Sequence, residues 1–347
     1  MQTADEIMSF SEPGELFTDN IAAMKEEYSA LAKIWHPDYN GNSDEANAVM
    51  SKINLLYKSG LEMLRCGKWK KPGYVKYMSV DGKSHQINYR KESVFELGTS
   101  YICDSVVVYI IHKEFKDLFQ NAVKRINSFE YANDKMKNEI SKCLPRIVSQ
   151  FETPDNFMAM VVEKEHDMFL LKDVLELYDG RLPDRHVAWI LGSLYNTACY
   201  LDFSGISHNA ITTDTCFISP EKHSIKLLGG WWYSVPVHSR MVGVPEKIFA
   251  IMPPKVRTSK LSNIITDLEA IRLIGRELMG DRTGASLAGL GMPSSFAEWL
   301  RAAALDSALE EYSRWNDVLI ESYGARRFVH MELTGEMLYT RKKSNKI

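Results

Sequence analysis

His36 and Asp38 stand two residues apart with Pro37 between them, so an imidazole and a carboxylate are joined through a residue of fixed φ. Such a pair carries donors and acceptors that can enter a partner's hydrogen-bond network. Lys25, Tyr28 and Lys33 lie upstream on what periodicity reads as one helix. The other chemistry-bearing residues do not gather. His208 reads as a core histidine, and His223 and His238 as lone, solvent-exposed loop histidines. The cysteines (66, 103, 143, 199 and 216) are scattered without a CxxC pair. That spacing argues against a disulfide framework and a zinc site, and for a reducing cytoplasm. No metal ligand set is expected.

The elements that must hold the His-Pro-Asp tripeptide are two helices. Met24, Tyr28, Leu31 and Trp35 recur at helical spacing from Asp19 onward, with Thr18 or Asp19 available as the cap. Pro37 stops this helix. After a loop from Asp38 to Gly41, a second helix starts near Asn42 and aligns Ala46, Val49, Met50, Ile53, Leu56, Tyr57, Leu61 and Leu64 on one face. Two such helices across a short loop predict an antiparallel pair.

The stretch from Tyr28 to Asp38, followed by Lys52-Ile53-Asn54 and Tyr57, resembles the J-domain of DnaJ-type co-chaperones. The resemblance implies that His36, Pro37 and Asp38, with Lys25, Lys33 and Tyr28, contact a DnaK-type heat-shock chaperone and trigger its ATP hydrolysis. They would be contact residues and not catalytic ones. J-domains usually carry a strongly basic second helix, whereas here Lys25 and Lys33 are set against Glu26 and Glu27. Electrostatic steering is therefore expected to be weak. The family's first helix is hard to see, because Pro13-Gly14 interrupts the segment that should supply it.

At 347 residues the chain is longer than one compact core usually covers, so two domains are expected. The net charge of −3 hides an asymmetry: residues 1–66 carry 11 acids and 5 bases, residues 67–90 carry 6 bases and one acid. A shift that sharp predicts a boundary near Gly67, with residues 67–84 as a basic linker broken at Pro72-Gly73. Trp69, Tyr74 and Tyr77 interleave with its lysines, a composition that suits RNA. The mildly acidic chain shows no RNA-binding module, and nucleic acid is not an expected partner. No apolar run approaches membrane-spanning length. The N-terminus has Asp5 and Glu6 and no basic start, so no secretory signal is expected.

Strand-like runs follow at about 85–89, 93–103 and 105–112, then a helix at about 114–128, strands near 147–151 and 157–163, and a long amphipathic helix over 184–203. Strands first and helices later predict an α+β body of two lobes. Several frames there resemble a protein kinase: 160–164 the hinge, 205–211 the catalytic-loop segment, 224–231 the strand into Asp-Phe-Gly, and 266–275 the central helix. The resemblance puts Asp267 at the brace of the catalytic loop. It also puts Tyr109 at the strand lysine, Ala122 near the helix glutamate, Ala210 at the catalytic aspartate, Thr215 at the metal-binding asparagine and Gly229 at the metal-binding aspartate. His208 would keep its loop-holding place. Of a glycine-rich loop only Gly98 remains, and Asp202 and Asp214 lie close by without restoring the set. Phosphoryl transfer needs those charges, so the resemblance implies a pseudokinase, with no enzyme activity and no ATP or magnesium expected. Trp231-Trp232 is expected to fill the vacated nucleotide cleft.

The expected architecture is α+β: an N-terminal all-α J-like helical hairpin (1–66), the linker, then a two-lobed kinase-like domain with a β-rich N-lobe (85–163) and an α-rich C-lobe (164–335), and a basic tail (336–347). The expected function is a cytoplasmic adaptor co-chaperone whose inactive body binds a client or partner protein. An atypical nucleotide-binding transferase and a decoy inhibitor of a host chaperone are the alternatives.

Overall fold

The computed structural model describes residues 2–324 and 329–339 of a mixed α/β chain. Arg326, Arg327, Phe328 and the basic run of the C-terminal tail lie outside the described residues. The chain divides into two compact units. One comprises the residues up to Glu114 with Ser149–Val161; the other comprises Phe115–Val148 and the chain from Val162 on. Among the described residues no helix is long and apolar enough to cross a membrane.

The first unit opens with a short helix, α1 (Ala4–Ser9), closed by a capping box between Thr3 and Glu6. A 3-10 turn at Pro13–Glu15 follows. The helix predicted from Asp19 is α2 (Ile21–Trp35), capped by Asn20 and not by Thr18 or Asp19. Those two are engaged elsewhere: the Thr18 amide donates to Glu27 and the Asp19 carboxylate pairs with Lys76. The second helix, α3 (Asp44–Arg65), is capped by Ser43. The pair packs around Ile7, Phe17, Met24, Val49, Met50, Ile53 and Leu56.

The linker expected over 67–84 is instead a sheet. Strands β1 (Lys68–Lys71), β2 (Tyr74–Met78) and β3 (Ser84–Asn88) pair antiparallel in that order. Lys71 faces Tyr74 across Pro72-Gly73, so the breaker is a two-residue hairpin turn. Trp69 belongs to the same core cluster as the helices. Gly14 lets the chain cross β1 closely: a Cβ there would lie 2.6 Å from the Lys70 carbonyl oxygen. The charge jump near Gly67 therefore marks complementary partners and not a domain boundary. Lys70 sits between Glu12 (2.9 Å) and Glu92 (2.7 Å), and Lys76 meets Asp19.

A second sheet has strands β4 (Lys91–Phe95), β5 (Gly98–Ile102), β6 (Val106–His112), β7 (Ile147–Glu152) and β8 (Phe157–Glu163), ordered β4-β5-β6-β8-β7. The run 93–103 is thus not one strand but the greater part of a hairpin folded at Glu96-Leu97. Gly98 pairs opposite Ile111, where the Ile110 carbonyl leaves no room for a Cβ. Val75 and Tyr77 of β2 share a core with Tyr101, Val108 and Ala159, and the Tyr77 and Tyr101 hydroxyls meet at 3.1 Å.

The second unit is mostly helical. Its elements are α4 (Lys116–Ile126), α5 (Asp134–Ile140), β9 (Phe169–Leu170), α6 (Leu171–Leu177), α7 (Asp184–Phe203), β10 (Ile206–Ser207), β11 (Cys216–Ser219), β12 (Ser224–Leu227), β13 (Val235–Pro236), α8 (Glu246–Ile251), α9 (Pro254–Ser259), α10 (Ile264–Leu278), α11 (Ser294–Arg301), α12 (Ala308–Tyr323) and α13 (Gly335–Tyr339). Helix α7 follows its predicted bounds and packs against α10 and α12. Helix α4, expected in the β-rich lobe, groups with this unit. Its Asn121 amide donates to the Trp232 (3.1 Å) and Ser234 (2.8 Å) carbonyls. Arg272 on α10 and Glu311 on α12 form a buried ion pair (2.7 Å), with the guanidinium over the Trp299 ring.

Candidate functional site

The first candidate site is the turn between α2 and α3. Pro37 ends α2, and residues Pro37–Tyr39 make one turn of 3-10 helix. Asn40 locks the turn: its Nδ2 donates to the carbonyls of Ile34 (2.8 Å) and His36 (3.0 Å) at the end of the helix. Gly41 and Asn42 take the left-handed backbone that reverses the chain, and the Asn42 amide returns to the Pro37 carbonyl at 2.8 Å.

On this frame the side chains of His36 and Asp38 are 45% and 73% exposed. His36 Nδ1 accepts the Asp38 amide at 3.2 Å and lies 3.5 Å from Asp38 Oδ2. An imidazole that accepts at Nδ1 presents Nε2–H outward as a donor. The turn thus offers a donor and a carboxylate acceptor in fixed relation, which is chemistry for binding.

Lys25 and Lys33 are exposed on α2, as is Glu26. Tyr28 is placed differently from a contact residue. Its ring stacks on Tyr57 (4.2 Å) and its hydroxyl donates to Asn54 Oδ1 at 2.8 Å, so it clamps α2 to α3.

The second candidate site, in the second unit, surrounds residues 207–215. Asp267 is fully buried at the first turn of α10, and its carboxylate accepts the backbone N–H groups of His208 (2.7 Å) and Asn209 (2.8 Å), with Ser207 Oγ at 3.1 Å. Burial lifts its carboxyl to about 7 despite those donors. Asn209 takes a left-handed backbone, and its amide donates to the Tyr233 carbonyl. The His208 ring is fully buried against the edge of Trp231 at 4.7 Å, and burial pushes its imidazole down to about 3, so it stays neutral. Gly230 is required here, since a Cβ would stand 2.7 Å from His208 Cε1.

Three of the sequence-predicted positions come together around this brace. Thr215 Oγ1 donates to the Ala210 carbonyl (2.7 Å), and the Gly229 amide donates to the Thr215 carbonyl (3.3 Å). Ala210, Thr215 and Gly229 therefore meet through backbone and hydroxyl groups. Ala122 is buried on α4. Tyr109 belongs to the first unit, where it is buried on β6 beside Phe95 and burial raises its phenol. Gly98 lies in the first unit too, at the start of β5.

The nearby acids have other employment. Asp214 lies between Lys172 (2.7 Å) and Lys247 (3.0 Å), and Asp202 caps α12 through the Ala308 amide (3.0 Å). Both partners hold the Asp214 carboxyl below its ordinary value against the opposing effect of burial. Among the described residues no three His, Cys, Asp or Glu side chains are grouped to hold a metal ion. Trp231 and Trp232 are both buried, with Trp231 Nε1 donating to the Leu227 carbonyl at 2.7 Å. His223 is half-buried and not solvent-exposed as expected: it stacks on Trp189 at 4.5 Å and bonds the Val329 carbonyl. His238 is exposed.

Two features had no signal in the sequence. One is the Arg272–Glu311 pair, 39 residues apart. The other is a groove of about 590 Å³ between α7 and α12, lined by Arg185, Trp189, Asn196, Tyr312 and Tyr323 among others. The Asn40 clamp was visible in principle, because an Asn just past an X-Pro turn is well suited to bond a helix's last carbonyls. Compared with known families and with curated proteins, the chain matches no family model and no curated sequence.

Proposed function

We propose that this chain is an adaptor co-chaperone: a J-domain-type hairpin that engages a DnaK-type chaperone ATPase, joined to a catalytically silent kinase-like body that holds a client or partner protein. The observation that carries the reading is the locked turn at the tip of an antiparallel helix pair, where His36 and Asp38 are exposed on either side of Pro37. A surface built to contact a partner needs an exposed donor and acceptor held rigidly, and this turn supplies both. The kinase-like reading of the body draws support from Asp267, whose carboxylate organises the backbone of the 207–209 segment. Its silence draws support from Ala210, Thr215 and Gly229, which bring no carboxylate to a place where phosphoryl transfer needs two. Client binding is a proposal from the fold reading alone.

The test is single-turnover ATP hydrolysis by a purified DnaK-type chaperone with the full chain added. Stimulation is expected, and His36→Gln is expected to abolish it. A chain that leaves hydrolysis unchanged overturns the co-chaperone reading. One observation favours a second reading, a decoy that occupies the chaperone without stimulating it: Lys25 and Lys33 on α2 are offset by Glu26 and Glu27. In that case the chain competes with an ordinary J-protein and gives no gain in hydrolysis.

A further inference from the structure

Charge supplies little of what the hairpin offers a partner. Helix α2 has two lysines and two glutamates, and Glu27 is already engaged by the Thr18 amide. The rest of its exposed surface, beyond Ile21 at its start, is small: Ala22, Ser29 and Ala30. Long-range attraction to a charged partner scales with net charge and is screened by salt, so a helix whose charges cancel cannot supply the affinity.

The turn carries another kind of group. Tyr39 is 78% exposed, more than any other aromatic side chain among the described residues; Phe203 and Phe249 follow at 60% and 50%. Its backbone does not move freely. The Tyr39 amide donates to the His36 carbonyl (3.0 Å), and the Asn40 amide and side chain tie the following residue back to Pro37, Ile34 and His36. Its ring centroid lies 5.8 Å from that of His36. An exposed aromatic on a fixed backbone loses little freedom on binding and brings a large apolar face with a polar tip. Residues of this type dominate the energetics of protein interfaces.

We infer that Tyr39 is the affinity-determining contact of this turn, anchoring the chaperone by aromatic packing and not by charge. The inference rests on the function proposed above and deepens it. The partner surface it fits is an apolar pocket beside an acceptor for His36 Nε2–H, with Lys25 and Lys33 on a rim of little energetic weight.

The experiment measures binding of the full chain to a purified DnaK-type chaperone in its ATP state, between about 50 and 500 mM salt, a range over which screening removes surface charge effects. Tyr39→Ala is expected to weaken binding at least about tenfold, and Tyr39→Phe to keep it within about threefold. The pair Lys25→Ala/Lys33→Ala and the salt series are each expected to change it less than about threefold. Circular dichroism keeps the readout clean, since a ring this exposed is not part of the core. If Tyr39→Ala binds like wild type while His36→Gln still loses stimulation, the inference fails and the co-chaperone reading stands. A steep salt dependence with loss of affinity in the lysine pair overturns it as well. If the wild-type chain neither binds nor stimulates, the co-chaperone reading itself fails and the inference with it.

Discussion

Asp267 and His208 are joined by one hydrogen bond and are perturbed in opposite senses, and this makes a prediction with a sign. Burial raises the Asp267 carboxyl from 3.8 to about 7, and lowers the His208 imidazole from 6.5 to about 3. A carboxyl raised in the folded state binds its proton more tightly there than in the unfolded chain. Its contribution is complete below pH 3.8 and is lost as pH rises through about 7. An imidazole lowered in the folded state behaves the other way: its contribution is complete above 6.5 and is lost as pH falls through about 3. Each slope is at most about 1.4 kcal/mol per pH unit. Between pH 4 and 6.5 the two nearly cancel, so the pair leaves wild-type stability almost flat. Asp267→Asn removes the falling slope and leaves the rising one, so the variant gains up to about 3 kcal/mol in relative stability across that window. At the acid end of the window the variant is weaker than wild type by about 1–3 kcal/mol, because an amide nitrogen now faces a buried N–H, and that deficit closes as pH rises. His208→Phe keeps a ring beside Trp231 and leaves the opposite slope. The assay is urea unfolding at several pH values, followed through the fluorescence of Trp189, Trp231, Trp232, Trp299 and Trp315 in the second unit. Stability profiles of both variants that run parallel to wild type from pH 4 to 6.5 would refute the reasoning, since they would mean neither group is perturbed as burial requires.

The buried ion pair gives a second test. Arg272→Met strands Glu311, whose carboxyl burial already raises against the pull of Arg272, and should cost about 3–5 kcal/mol in chemical denaturation. The double change Arg272→Met/Glu311→Leu should recover most of that loss; no recovery would mean the guanidinium's contacts with Trp299 matter more than its charge. If the second unit is the catalytically silent body proposed above, magnesium and ATP together leave the melting temperature of the purified chain unchanged. A saturable upward shift, removed by Gly229→Arg, would reinstate nucleotide binding.

The elements whose signals are local were legible in the order of residues alone. The period of Val187, Ile190, Leu191, Leu194, Ala198 and Leu201 specifies α7 to its ends, because one helix face repeats every three or four residues whatever lies opposite. Pro37 sets the end of α2, since proline denies the ladder its donor wherever it falls. With the helical period that follows from Asp44, that stop puts the His-Pro-Asp tripeptide in a turn between two helices. Tertiary structure alone decided the rest. Residues 67–84 read as a linker because their charge contrasts with what precedes them; only Glu12, Asp19 and Glu92, brought near by folding, turn that contrast into pairing. Tyr28 looked like a contact residue until Tyr57 and Asn54 closed on it from the facing helix. Helix α4 was legible as a helix, but its allegiance rests on Asn121 reaching carbonyls more than a hundred residues on. Asp267 meets His208 and Asn209 across nearly sixty residues, and no spacing rule encodes such a meeting. Periodicity, caps and breakers act within a few residues and are written along the chain. A buried hydrogen bond or ion pair depends on two distant segments arriving together, and only the packed core fixes where they do.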